Sequence, residues 1–151
     1  GSTIFFNKKV FIKNKGFDPH IFLYWEETDY TKRALKNGYY AYQLNKVKVI
    51  HEKGKAVHVK DNKEEQKLIH LYSWHFIWSK FYYFKKHYGK FFTICYFLPV
   101  FLRIILRIVF YKFTKDKKIL KYHYRLDGLI NSMLGKKSSM RLDKIKLDKF
   151  N

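Results

Sequence analysis

Cysteine is nearly absent from this chain. Cys95 stands alone, which excludes an internal disulfide and a multi-cysteine metal site and fits a reducing compartment. Carboxylates are scarce: Asp and Glu total 12 against 32 Lys and Arg, a net charge of +20. A balance that one-sided opposes compaction unless an anion neutralises it. The candidate anions are nucleic acid, an anionic membrane surface and a phosphorylated substrate. The scarcity is also uneven, because no carboxylate lies between Glu65 and Asp116 while Lys and Arg recur throughout. No signal peptide is visible: Gly1-Ser2-Thr3 lacks a basic n-region, and the first apolar stretch is short. Without an initiator Met, the chain is expected to begin inside a longer protein or to carry Gly1-Ser2 as a cloning remnant. No internal repeat is present. Aromatics are abundant, at 21% of 151 residues, too many for a disordered basic tail.

Three zones separate by composition. Residues 1–59 are mixed and read as globular. Thr3-Ile4-Phe5-Phe6 and residues 21–25 are short apolar runs that predict buried strands. Asn7 predicts the cap of a short helix over residues 8–15, with Val10 and Phe11 inward and Gly16 closing it. Residues 26–37 predict a second helix, with acids in its first turn, Lys32, Arg33 and Lys36 toward its end, and Gly38 after it. Residues 39–44 and 47–51 are rich in aromatic and β-branched side chains and predict two more strands. Residues 60–66 form a charged, exposed connector. Residues 67–151 predict helices over about 66–88 and 99–113, then a looser basic tail.

Taken in order, several short motifs resemble the family 2 glycosyltransferases of the GT-A fold, in particular the rhamnosyltransferase-like enzymes of bacterial cell-surface polysaccharide synthesis. Gly1 to Phe6 is similar to the start of a core strand, and Asn7 to Phe11 to a short helix. Gly16-Phe17-Asp18 is similar to a "GGFDE" turn, with Lys15 at the first glycine. Phe22-Leu23-Tyr24-Trp25-Glu26-Glu27-Thr28-Asp29 is similar to "FLYFEDVD". Arg33-Ala34-Leu35-Lys36-Asn37-Gly38-Tyr39 is similar to "RARKAGY", and Val47-Lys48-Val49-Ile50-His51 to "AKVIH". The resemblance covers about the first sixty residues; the aromatic-basic run from Phe81 to Lys90 extends it less specifically.

The resemblance implies an α/β carboxyl-terminal half of a GT-A fold followed by amphipathic membrane-proximal helices. It implies an inverting enzyme that moves a sugar from a nucleotide sugar to a cell-surface glycan or lipid-linked acceptor. The implied location is the cytoplasmic face of the bacterial inner membrane, as a peripheral protein. The family's usual Glu-Asp pair is Glu26-Glu27 here, one methylene longer at the second position. The family's amino-terminal half, with its nucleotide-binding βα units and Asp-x-Asp metal motif, has no counterpart, and no Asp-x-Asp occurs in the chain. A divalent metal (Mg or Mn) is therefore expected mostly on that other half, which a separate polypeptide is one way to supply. The chain alone is expected not to turn over.

Inverting transfer needs a base for the acceptor hydroxyl and cationic help for the departing diphosphate. By its match to the family, Glu27 is the expected base, with Glu26 as its neighbour. The alternative is that both are helix-start acids favoured by the dipole. Asp18 and Trp25 are the expected acceptor contacts; the alternatives are an Asx-turn cap for Asp18 and a core aromatic for Trp25. His51 and Lys53 are the expected diphosphate or metal contacts, against a strand-end His bonded to backbone and a solvated loop lysine. Arg33 is expected to pair with Asp29.

Residues 91–111 carry only two charges, Arg103 and Arg107, and are long enough to cross a bilayer. Each arginine would cost about 2.5–3.5 kcal/mol on insertion. Pro99, Arg103 and Arg107 share one helical face, while Phe97, Val100, Phe101, Ile104, Ile105, Ile108 and Val109 form an apolar one. That pattern predicts a helix lying in the interface with its arginines toward lipid phosphates, and flanking lysines add about 1 kcal/mol each. The alternative is a core helix packed on the catalytic domain. Two further readings compete with the transferase: a non-catalytic membrane-docking partner of a polysaccharide assembly complex, and a basic aromatic binder of single-stranded nucleic acid. Against nucleic acid stand the apolar Ile104-Ile105-Leu106 run and the absence of an RNP, KH or zinc-finger pattern.

Overall fold

A computed structural model describes residues 3–50, 59 and 61–147. Helix α1 (Lys8–Lys13) starts where the Asn7 side chain accepts hydrogen bonds from the backbone N–H groups of Lys9 (3.0 Å) and Val10 (3.3 Å). It ends at Asn14, and Lys15 and Gly16, both at positive φ, turn the chain back. Helix α2 (Glu26–Lys36) has Glu26, Glu27 and Asp29 in its first turn and Arg33 and Lys36 in its last, the arrangement a helix dipole favours. Phe6, Phe11 and Phe17 gather on Tyr30 of α2, with ring centroids 5.0–5.9 Å from it.

Helix α3 (Asn62–Tyr88) begins inside the charged stretch, capped by the Asp61 carboxylate, which accepts from the Glu64 N–H at 2.8 Å. Gly89, at φ 85°, breaks the chain between α3 and α4 (Lys90–Phe113). Helix α5 (Lys118–Met133) returns along α3. One cluster of buried side chains joins Leu68, Leu71, Trp74 and Trp78 to Tyr124 and Ile145. A second joins Ile77 and Phe81 of α3 to Phe97 and Ile104 of α4 and Leu129 of α5. The segment after α5 folds back over α3: the Trp78 indole N–H donates to the Lys136 carbonyl at 3.2 Å. The ring of His75 is held on both sides. Its Nε2–H donates to the Met140 carbonyl at 3.0 Å, and its Nδ1 accepts from the Ser138 hydroxyl at 3.0 Å.

The α/β expectation is corrected here. The described residues form helices and no strand, so the GT-A sheet implied by the resemblance is not the architecture of this chain. Residues 4–6, 21–25, 39–44 and 47–50 have strand-like composition but no ladder. Such composition reports fitness for a pleated, half-buried surface, and a strand forms only where its N–H and C=O groups meet a neighbour's. These runs meet none among the described residues, and Tyr42 and Ile50 are 83% and 93% exposed.

The tail expected to be loose beyond residue 113 instead supplies α5. Its buried side chains, Tyr124, Leu129 and Ser132, are accompanied by Gly128, whose missing side chain hides the apolar stripe. Helix α4 starts at Lys90 and carries Pro99 inside it. Its sides are the reverse of those expected: Phe97 and Ile104 face the protein, while Phe91, Leu98, Leu102, Leu106, Val109 and Phe113 form an outward stripe. Leu106 and Phe113 are 69% and 85% exposed, and Arg103 and Arg107 border the stripe.

Candidate functional site

Asp18, Trp25, Glu26 and Glu27 lie where the loop over residues 16–25 and the start of α2 meet α3. Asp29 is fully buried and is the hub. Its carboxylate accepts from Arg33 Nε at 2.8 Å, from His87 Nε2 at 2.8 Å and from Lys86 Nζ at 2.7 Å. The Arg33 guanidinium also donates to the carbonyls of Asn14 and Gly16, so it ties α1 and its turn to α2. Asp18 accepts from the His20 N–H at 2.9 Å, from His20 Nδ1 at 2.8 Å, from the Tyr82 hydroxyl at 3.0 Å and from Lys86 Nζ at 2.7 Å. Lys86 thus bridges both acids.

Electrostatics follow this geometry. Burial alone would raise the carboxyls of Asp18 and Asp29, yet Lys86 and the other donors hold both well below the usual carboxylate range. Burial and the Asp18 carboxylate push the Tyr82 hydroxyl up. For His87 burial outweighs its bond to Asp29 and the net shift is downward, which favours the neutral ring.

Helix α2 is entered through strain. Tyr24 and Trp25, neither of them glycine, have φ of 63° and 72°. Each such residue costs about 1–3 kcal/mol and persists only where its surroundings impose it. Here the Leu23 carbonyl accepts from the Ser79 hydroxyl at 2.8 Å. The Trp25 ring packs among Tyr83, Phe76 and Phe84 of α3. The result presents Glu26 and Glu27 side by side at the helix start. Burial, then repulsion from Glu27, raises the Glu26 carboxyl. Burial acts on Glu27 in the same direction, a hydrogen bond with its own backbone opposes it, and the net shift is downward.

Glu27 opens on a cavity. With Thr28, Thr31, Lys32, Leu35, Lys36 and Tyr83 it lines an open groove of about 650 Å³. Lys32 reaches across α3, where its ammonium lies 3.7 Å from the ring centroid of Tyr88 and bonds the Tyr88 hydroxyl. The groove therefore combines one carboxylate, two lysines and an aromatic wall.

The expected site residues within the described part of the chain each have a definite place. Glu27 lines the groove and Glu26 does not. Asp18 forms the Asx turn with His20 and has its oxygens taken by four donor groups. Trp25 belongs to the α2–α3 aromatic cluster. The Arg33–Asp29 ion pair is present. His51 and Lys53 lie outside the described residues. The partners missed by sequence reasoning are Tyr82, Lys86 and His87. The aromatic-basic run from Phe81 to Lys90 was the available signal, and it did not say which of its members turn inward. Among the described residues no group of three His, Cys, Asp or Glu side chains stands within reach of one metal ion. Asp18 and Asp29, the acids best placed by burial, are already neutralised by Lys86 and its companions. Comparison of the chain with family models, curated proteins and solved structures gives no match.

Proposed function

We propose that this chain carries the acceptor side of a glycosyl-transfer site and holds it against an anionic membrane. One observation carries the first part: the Glu27 side chain lines an open groove together with Lys32, Lys36 and Tyr83, and the ion pairs of Asp18 and Asp29 fix the loop and helix around it. In this reading Glu27 is ionised at neutral pH. Its carboxylate takes the proton of the acceptor hydroxyl as that oxygen bonds to the anomeric carbon. The anomeric carbon–oxygen bond to the nucleoside diphosphate breaks, and the diphosphate leaves with the electron pair. Lys32 and Lys36 supply positive charge beside the reacting groups.

The direct test replaces Glu27 by Gln at the native locus and measures sugar transfer from a panel of labelled nucleotide sugars in membranes of the source cells. This design serves whether the donor-binding residues lie on the same polypeptide or another. Loss of at least one transfer activity, with the chain at its normal level, is the expected result. Unaltered transfer for every donor would sink the base assignment.

The membrane part rests on α4. This helix is long and apolar enough to cross a bilayer, with a mean hydropathy of 2.0 over its most apolar 18 residues. Only one side of it is covered by α3 and α5. The outward stripe bordered by Arg103 and Arg107, with Lys90 and Lys112 at the ends, matches a helix lying in an anionic leaflet: apolar side chains inward, cations at phosphate depth. The greasy stripe also disfavours nucleic acid as the neutralising partner.

A further inference from the structure

A second cavity, of about 450 Å³, lies between the loop around Pro19, the middle of α3 and the segment after α5. It is separate in its lining from the Glu27 groove. Five of its lining residues carry a cationic or protonatable group, His20, Lys85, Lys136, Lys137 and Arg141, and no carboxylate lines it. Among the described residues no acid pairs with Lys85, Lys136 or Lys137. Its floor is aromatic: Trp78 and Tyr82 stack with centroids 5.2 Å apart and planes 12° from parallel.

The backbone that carries these cations is held in place by buried structure. The Trp78 indole fixes the Lys136 carbonyl, and Ser132 donates to the Trp78 carbonyl at 2.9 Å. His75 and Ser138 bind one another inside the fold. Arg141 lies 3.8 Å from the Phe22 ring centroid and donates to the carbonyls of Ser138 and Met140. Gly135, at φ 73°, makes the turn that delivers Lys136 and Lys137 to the rim. Positive charge gathered over stacked aromatic faces recognises an anion attached to something flat or apolar. The volume suits a small head group.

We infer that this cavity binds the diphosphate of a sugar-transfer reactant, through Lys85, Lys136 and Lys137 over the Trp78–Tyr82 floor. The ligand class rests on the transfer reading above; the site itself rests on the cavity. Two sources share this chemistry, a lipid-linked acceptor and a nucleoside diphosphate.

Inorganic pyrophosphate titrated calorimetrically into the chain at physiological salt tests the site. One saturable binding event is expected. Lys136→Gln with Lys137→Gln is expected to weaken it at least ten-fold, as is Lys85→Gln, which leaves the loop untouched. Lys8→Gln with Lys9→Gln removes the same charge from α1 and is expected to change affinity less than two-fold. Equal losses in the two double variants would reduce the binding to the diffuse attraction of a cationic chain and overturn the inference, as would no loss in any variant. Displacement of pyrophosphate by a short isoprenyl diphosphate assigns the lipid carrier. Displacement by a nucleoside diphosphate alone assigns the donor side, and displacement by neither overturns the proposal. Glu27→Gln is expected to leave pyrophosphate binding unchanged even where transfer is lost, so the two readings fail separately.

Discussion

Gly128 of α5 crosses α3 directly against the Trp74 carbonyl: a β-carbon at Gly128 would lie 2.6 Å from that oxygen and 3.0 Å from Ile77 Cγ2. Beside this contact the Trp74 indole donates to Asp127 Oδ2 at 2.6 Å. The obstacle is backbone, so it gives way only if the helices separate. Gly128→Ala is expected to destabilise the fold by about 1–3 kcal/mol, the usual cost of overpacking, although alanine favours helix. Urea denaturation followed by tryptophan fluorescence checks it. A variant as stable as the parent would show that α3 and α5 do not cross this closely.

Asp29 is the one acid shared by Arg33, Lys86 and His87. Asp29→Asn leaves two permanent cations facing a neutral amide. Removing one partner of a fully buried pair costs about 3–5 kcal/mol. Arg33 and Lys86 keep some access to water, with side chains 21% and 28% exposed, so about 2–4 kcal/mol is expected here. Thermal unfolding by circular dichroism measures it; a shift of under a degree would mean the hub is dispensable.

Acid dependence has two windows. His75 is buried neutral, and burial pushes its pKa down from 6.5 to about 4. Above pH 6.5 the ring is neutral in both folded and unfolded chains and stability does not vary with it. Between about 6.5 and 4 the unfolded chain takes up the proton first. Stability therefore falls by about 3 kcal/mol from this group as the pH drops. His70, His87 and His123 are shifted the same way, so His75→Gln is expected to leave a shallower slope of unfolding free energy against pH. An unchanged slope counts against a buried neutral His75. Asp18 and Asp29 act lower: their contribution is complete above the ordinary Asp range near 3.8 and is lost as the pH falls through their depressed folded values.

The outward stripe of α4 makes a prediction about lipid. Leu102→Glu with Leu106→Glu is expected to reduce co-flotation with vesicles containing anionic phospholipid at least ten-fold, because each leucine buries about 1.5–3 kcal/mol of side chain. Binding by the parent chain is expected to survive in part at high salt, since screening removes only the lysine and arginine share. Flotation that is unaffected by the substitutions, or abolished by salt alone, contradicts the orientation assigned to the helix.

What could be seen in the sequence was local. Asn7, the acids of Glu26, Glu27 and Asp29, and the Arg33–Asp29 spacing announce α1, α2 and their ion pair because caps and i, i+4 contacts lie within one turn. The strand expectation failed for a related reason: aromatic and β-branched runs at residues 39–50 state a preference that only a neighbouring strand can satisfy. The site was legible as a set of acids but not as an arrangement, since Tyr82, Lys86 and His87 stand far along the chain from Asp18 and Asp29. Helix α4 is apolar nearly all round, so its periodicity marked a greasy side without saying which side the protein would claim.

Pro99 interrupts the hydrogen bonding of α4. With no N–H at residue 99, the Cys95 carbonyl loses the partner that every other turn of the helix provides. Cys95 and Pro99 both face outward. A carbonyl left short of a donor is satisfied only by water, a neighbouring side chain or a local change of helix pitch. The proline therefore leaves a polar notch on the outward side of an otherwise apolar helix, and whatever covers α4 must supply a donor there or leave that carbonyl to water.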